Sequence, residues 1–307
     1  MSAIRIAPFL LRSASIAGLV GLAALAFMAR AQTATPQRTD QGKTTTHTAT
    51  SRDGTRIAYD KTGRGPALIV IGGALSERSA AAELAQLMAA RFTVYSLDRR
   101  GRGDSTDTKP YSVQREVEDI EALIDAAGGS AFVYGRSSGA ALALQAAAAL
   151  GGKVKKLALY EAPYSEAAGA AQEWRTFRTE IDTLLAADLR EEAITRFMVF
   201  VGAPAEVVAK MKASPAWPGM RAMAPTLAYD NALLGDDRSV PVQMAAKVRV
   251  PTLVMDGGAS LVPMPFMRPT ADKIAQAIPG AKRQVVEGQA HDASAKALAP
   301  LLVGFFG

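Results

Sequence analysis

Residues 131–150 read AFVYGRSSGAALALQAAAAL. An apolar β-former climbs to Tyr134, the knot Gly135-Arg136-Ser137-Ser138-Gly139 follows, and the chain continues as almost nothing but Ala and Leu. A strand former joined to a helix former by so short a turn leaves little freedom. The helix must fold back over the sheet it has just left, as one step of a strand-helix-strand alternation.

Similar β-like runs recur as THTATS, RIAYDK, ALIVI, FTVYSL, KLALYE, PTLVMD and RQVVEG. Asp53-Gly54 between the first two is a hairpin signal. Later runs alternate with helical text. Residues 79–91 are rich in Ala and Leu, and Val113, Val117, Ile120 and Ile124 share one helical face that Gly128-Gly129 ends. Residues 138–150 and 292–306 also read as helices. Such alternation with short links predicts a parallel sheet covered on both faces. One interval departs from it. Between KLALYE and PTLVMD the chain carries amphipathic helical text and no strand, which reads as an inserted helical unit. It holds Trp174, Trp217, Met198, Met211, Met220 and Met223, which serve either as its own core or as the lining of an apolar cavity.

The N-terminus is of another kind. Arg5 and Arg12 precede SIAGLVGLAALAFMARAQ, and Ala29-Arg30-Ala31 has the small-x-small pattern of a signal-peptidase site. Residues 1–31 therefore read as a secretory signal cut before Gln32, giving a periplasmic or secreted protein, with an uncleaved anchor as the alternative. Residues 32–45 are polar and Thr-rich, as a flexible leader is. The signal carries three arginines and no acid, so its removal takes the net charge from +6 to +3. No Lys/Arg cluster interleaves with aromatic residues, and no nucleic-acid partner is expected. The chain has no cysteine, which allows an oxidising compartment without demanding disulfides. After residue 31 no stretch approaches membrane length.

The knot has a chemical reading. A strand that turns sharply into a helix lifts the turn residue above the sheet, beside the positive end of the helix. Ser137 is that residue, and Gly135 and Gly139 supply the small neighbours of a G-x-S-x-G nucleophile elbow. The backbone N–H of Ser138 opens the helix and is a candidate oxyanion donor. A serine hydroxyl needs a base. The chain has two histidines. His47 falls in the first strand, ahead of every crossover, while His291 follows the last strand in VVEGQAHDAS, at the same sheet edge as Ser137.

Five segments, DGTRIAYDKTGRGPALIVIGGAL, SLDRRGRGDS, VYGRSSGAALAL, PTLVMDGG and VVEGQAHD, resemble in content and order the α/β-hydrolase superfamily, from about residue 46 to 307. The resemblance implies an α/β fold with an eight-stranded, mostly parallel sheet, helices on both faces and an inserted helical cap. The core would span 46–163 and 241–307 and the cap 164–240. It also implies a second oxyanion donor in the loop after the third strand. Here that loop reads Ile71-Gly72-Gly73-Ala74, making Ala74 the donor, with Gly72-Gly73 where the family has His-Gly. Asp98 and Arg100 of SLDRRGRGDS are read as structural.

The triad acid is where this chain departs from the family. The usual position just after the seventh strand holds Ser260, which carries no charge. Two carboxylates remain as candidates. Glu161 closes the sixth strand in KLALYEAPY and resembles the acid of some superfamily members; Asp256 ends the seventh strand itself. Glu161 is preferred, because its longer side chain reaches a histidine from a neighbouring strand. Asp292 is expected to point away if it starts the last helix. The function implied is a serine hydrolase, carboxylesterase-like, acting through an acyl-enzyme on a small or medium apolar ester, with no cofactor and no metal. Two alternatives stand beside it: a non-catalytic small-molecule-binding protein on the same scaffold, and a cofactor-free lyase or perhydrolase.

Overall fold

The computed structural model describes residues 43–262 and 264–307. The segment read as a signal, and all but the end of the leader, lie outside these residues. Eight strands form one sheet: β1 (Thr45–Thr50), β2 (Arg56–Gly63), β3 (Ala67–Ile71), β4 (Thr93–Leu97), β5 (Ala131–Arg136), β6 (Val154–Tyr160), β7 (Thr252–Gly257) and β8 (Lys282–Val286). Their order across the sheet is β1-β2-β4-β3-β5-β6-β7-β8. β1 and β2 form the antiparallel hairpin expected at Asp53-Gly54, β2 runs antiparallel to β4, and every other neighbouring pair is parallel. β1 begins at Thr45, inside the segment read as leader, and the Thr44 hydroxyl meets that of Thr62 at 2.9 Å. The run THTATS marks this strand, and its start is one residue earlier because threonine is at home both in polar leaders and in exposed edge strands.

Alternate residues of the central strands feed two apolar layers. Ile69, Ile71, Val133, Leu157, Leu159 and Val254 face one side. Leu68, Val70, Tyr134, Ala158, Tyr160, Leu253 and Met255 face the other. Burial on both faces is why these strands read as unbroken apolar runs. Helices α1 (Ala82–Met88), α2 (Val113–Ala126) and α3 (Ser138–Leu150) connect the early strands. The alanines of α3 let it lie against the sheet closely enough to be buried along most of its length.

Between β6 and β7 the described residues form α4 (Ala170–Ala186), α5 (Arg190–Phe200), α6 (Ala205–Lys212), α7 (Trp217–Met223), α8 (Leu227–Leu234) and the short α9 (Val242–Ala245). Trp174, Phe177 and Phe200 stack together, the two phenylalanine rings 4.0 Å apart, and Met211, Met220, Met223 and Trp217 are buried. α8 packs on α2 and α3. The last helices are α10 (Met267–Ala277) and α11 (Ala295–Phe306). α11 starts three residues later than expected. The Ser294 hydroxyl caps it by accepting the Ala297 N–H, which leaves His291 and Asp292 in a turn. No helix among the described residues is long and apolar enough to cross a membrane.

The strand order places the site. The chain goes from β3 to β4 on one side, then returns to build β5 on the other. The loops after β3 and β5 therefore leave the sheet in opposite senses and open a crevice at its C-terminal edge.

Candidate active site

Ser137 occupies the turn between β5 and α3 with φ 57° and ψ −132°. A side-chain-bearing residue is strained there, and the surrounding bonds must hold it. Its N–H donates to the Tyr160 carbonyl at 3.0 Å, and its own carbonyl accepts from Ala140 at 2.8 Å. The flanking glycines are required by space. A Cβ on Gly135 would stand 2.3 Å from the Gly139 carbonyl oxygen, and one on Gly139 would stand 2.4 Å from the carbonyl oxygens of Ile71 and Gly72. The β3 loop also comes close, since a Cβ on Gly73 would lie 2.8 Å from the Ser137 Cβ. Gly73 of the β3 loop and the first turn of α3 therefore both lie close to the serine. The Ser138 N–H, at the first position of α3, has no acceptor within its own helix.

His291 and Glu161 complete a chain of contacts. The His291 Nε2 lies 3.1 Å from the Ser137 Oγ, and its Nδ1 lies 2.7 Å from the Glu161 Oε2. The turn carrying His291 is tied to the sheet by the Tyr160 hydroxyl, which donates to the Ala290 carbonyl at 2.5 Å. Glu161 has a positive φ of 48°, and its side chain reaches the end of β7. Its other oxygen accepts the Gly257 N–H at 2.8 Å. The Glu161 side chain is fully buried. Burial by itself raises this carboxyl, but the hydrogen bond and attraction of His291 outweigh it and hold the group below the usual glutamate range. Smaller help comes from the Gly257 N–H and from the Ser260 hydroxyl, which stands near the carboxylate outside good hydrogen-bond geometry.

Asp256 is engaged elsewhere. Buried at the end of β7, it is ion-paired with Arg268 at 3.1 Å and with Arg283 at 2.5 Å, so both oxygens face cations rather than imidazole. Ser260 stands beside Glu161 and supplies a dipole where the family's usual acid supplies a charge. His47 lies on the exposed edge strand and stacks on Tyr59. Asp98 and Arg100 take structural roles. Asp98 accepts the backbone N–H groups of Arg78 and Asp104, and Arg100 pairs with Asp119 and Asp53.

Sequence reasoning missed a second polar system beneath the elbow. Arg99 grips Glu116 with two hydrogen bonds of 2.7 and 2.8 Å and reaches Asp230 at 2.7 Å and the Ser138 hydroxyl at 3.3 Å. Arg102 binds both Asp230 oxygens, at 3.0 and 2.8 Å, and donates to the Gly73 carbonyl at 2.5 Å. All four charged side chains are buried, and the two cations balance the two anions. Burial opposes ionisation of Asp230, but Arg102 and Arg99 hold its carboxyl below the ordinary range. The available signal was the density of arginine in DRRGRGD and a lone acid in the mostly apolar LAYDNALL. Nothing local in the chain says that the two segments meet.

Residues 68–300 match the model of the alpha/beta hydrolase family. The chain belongs to the alpha/beta hydrolase family. Among solved structures, this hydrolase-family chain is similar to an alpha/beta hydrolase from Sphaerobacter thermophilus DSM 20745, at 47% identity and a TM-score of 0.77, over 85% of this chain and 100% of that one. Its fold is shared with an enol-lactonase from Burkholderia xenovorans LB400 (21% identity, TM-score 0.62, 85% and 99% of the two chains). It is shared too with an esterase from Rhodococcus sp. ECU1013 (21% identity, TM-score 0.61, 85% and 98%).

Proposed function

We propose that the protein is a serine hydrolase that cleaves carboxylic esters of small or medium size through an acyl-enzyme. One observation carries the reading: His291 bridges Ser137 and the buried Glu161, at 3.1 and 2.7 Å. Ser137 Oγ attacks the ester carbonyl as His291 Nε2 takes its proton. Glu161 holds the Nδ1–H and stabilises the imidazolium. The carbonyl oxygen becomes an oxyanion held by the N–H groups of Ala74 and Ser138. When the tetrahedral intermediate collapses, the C–O bond to the alcohol breaks and His291 returns the proton to the departing oxygen. A water then enters, gives its proton to His291 and attacks the acyl carbon; on collapse the bond from the acyl carbon to Ser137 Oγ breaks, His291 returns the proton to that oxygen, and the acid product leaves. The names of two fold relatives, an esterase and an enol-lactonase, agree with C–O cleavage next to a carbonyl.

A non-catalytic binding role was attractive because the family's acid position is a serine. It loses that support with a carboxylate 2.7 Å from the imidazole. The helical stretch 164–240 is read as a cap over a core formed by 46–163 and 241–307. Residues 1–31 are read as an export signal, so the N-terminus of protein recovered outside the cytoplasm should be Gln32 by mass spectrometry.

Turnover of p-nitrophenyl acetate and butyrate tests the function. Wild-type protein should release nitrophenol, and a fluorophosphonate should label Ser137 alone. Ser137→Ala should lose both properties. Activity surviving that substitution would refute the nucleophile.

A further inference from the structure

The Gly73 carbonyl and the Ala74 N–H belong to one peptide group, and in a planar trans peptide they point in opposite directions. Whatever anchors the carbonyl therefore aims the N–H. Two donors anchor it: the Arg102 Nη1 at 2.5 Å and the Ser76 hydroxyl at 2.8 Å. Arg102 is in turn held bidentate by Asp230, which comes from α8, in the stretch between β6 and β7. Asp230 also holds Arg99, whose Nη1 reaches the hydroxyl of Ser138, the residue with the other candidate N–H. The loops after β3, β4 and β5 and helix α8 are thus joined through one carboxylate.

We propose that Arg102 is a positioning residue for the oxyanion hole, with Asp230 on α8 as the charge that fixes it, so that a seated α8 is part of what aims the Ala74 N–H. This rests on the serine-hydrolase reading above. Arg102 acts in two ways. It fixes the plane of the Gly73–Ala74 peptide, and as a cation on the carbonyl it polarises that peptide and strengthens its N–H as a donor. Lysine does not replace it, because a single ammonium cannot span the Gly73 carbonyl and both Asp230 oxygens in the geometry of a planar fork. The substrate is not touched, so the expected signature is a loss in kcat with KM little changed.

The test uses the full chain with p-nitrophenyl butyrate, and butylboronic acid as a tetrahedral analogue that bonds to Ser137. Fluorophosphonate titrated to its end point counts competent sites. Arg102→Met, Arg102→Lys and Asp230→Asn should each lower kcat per titrated site by about 10- to 100-fold, less than outright removal of an oxyanion donor. The inhibition constant of the boronate should rise by the factor by which kcat/KM falls, as expected for a contact made in the transition state. The double variant Arg102→Met/Asp230→Leu separates positioning from structure. It leaves Arg99 paired with Glu116 and no net buried charge, so it should recover melting temperature lost by the single variants while kcat stays low. It also carries the test if Arg102→Met does not fold. Wild-type kcat per site in the double variant, or an unchanged boronate constant in any folded variant, would overturn the inference and leave the hydrolase reading intact. Wild-type protein that neither turns over nor labels at Ser137 would overturn both.

Discussion

Glu161→Gln exchanges one carboxylate oxygen for an NH2 group in a site with no spare room for the difference. The Glu161 Oε1 accepts from the Gly257 N–H at 2.8 Å and the Oε2 faces His291 Nδ1 at 2.7 Å, so both contacts require an acceptor. A glutamine has one. If its oxygen stays on Gly257, its NH2 points at Nδ1, which must then be the unprotonated nitrogen. The imidazole proton moves to Nε2, and the nitrogen facing Ser137 can no longer take a proton. If the amide is turned over, NH2 meets the Gly257 N–H and a buried donor is left opposed, at a cost of about 1–3 kcal/mol. The first arrangement is therefore favoured, and the expected loss in kcat is about 10⁴-fold, the size associated with a wrong-tautomer histidine. KM should change little. The assay is p-nitrophenyl butyrate turnover per site titrated with fluorophosphonate. Asp256→Asn serves as control: with Arg268 and Arg283 on its oxygens, it should lose stability but keep kcat per site. Turnover by Glu161→Gln within about tenfold of wild type would refute the reasoning, since effects that small fall below the general acid–base contribution itself. So would an Asp256→Asn variant that is folded, titratable and dead.

Two further outcomes follow from the same geometry. Glu161 has its folded-state pKa below its unfolded one, so its contribution to stability is complete above the usual glutamate value of about 4.3 and is lost as pH falls through the depressed folded value. Through the range where Glu161 itself protonates, below about pH 4, the gap in urea midpoint between wild type and Glu161→Gln should accordingly narrow, and a gap that widens in that range would contradict the assignment. Ser137→Gly removes a side chain from a backbone with φ 57°, so it should abolish turnover while raising stability by about 1 kcal/mol, read from denaturant midpoints; a clear destabilisation would mean that the elbow is not strained.

What the sequence by itself determined is what local chemistry determines. The eight strand runs and the β5–α3 turn are written in short-range patterns, because apolar periodicity and glycine spacing act over a few neighbouring residues. Ser137 stood out because its conformation needs small residues within two positions on each side. His291 could be singled out because the chain has only two histidines and the other lies ahead of every crossover. The start of β1 shifted by one residue and the start of α11 by three, where one polar residue fits strand, cap or coil equally well.

Only the tertiary structure shows that Glu161, and not Asp256, stands against His291. Both end neighbouring parallel strands, and what separates them is the set of side chains waiting there: imidazole and a backbone N–H for one, two arginines for the other. The same holds for Arg102 and Asp230, which lie 128 residues apart and whose pairing leaves no local trace in the chain. Charge partners are chosen by where the fold brings segments together. A buried carboxylate is defined by its neighbours in space, whereas a turn is defined by its neighbours along the chain.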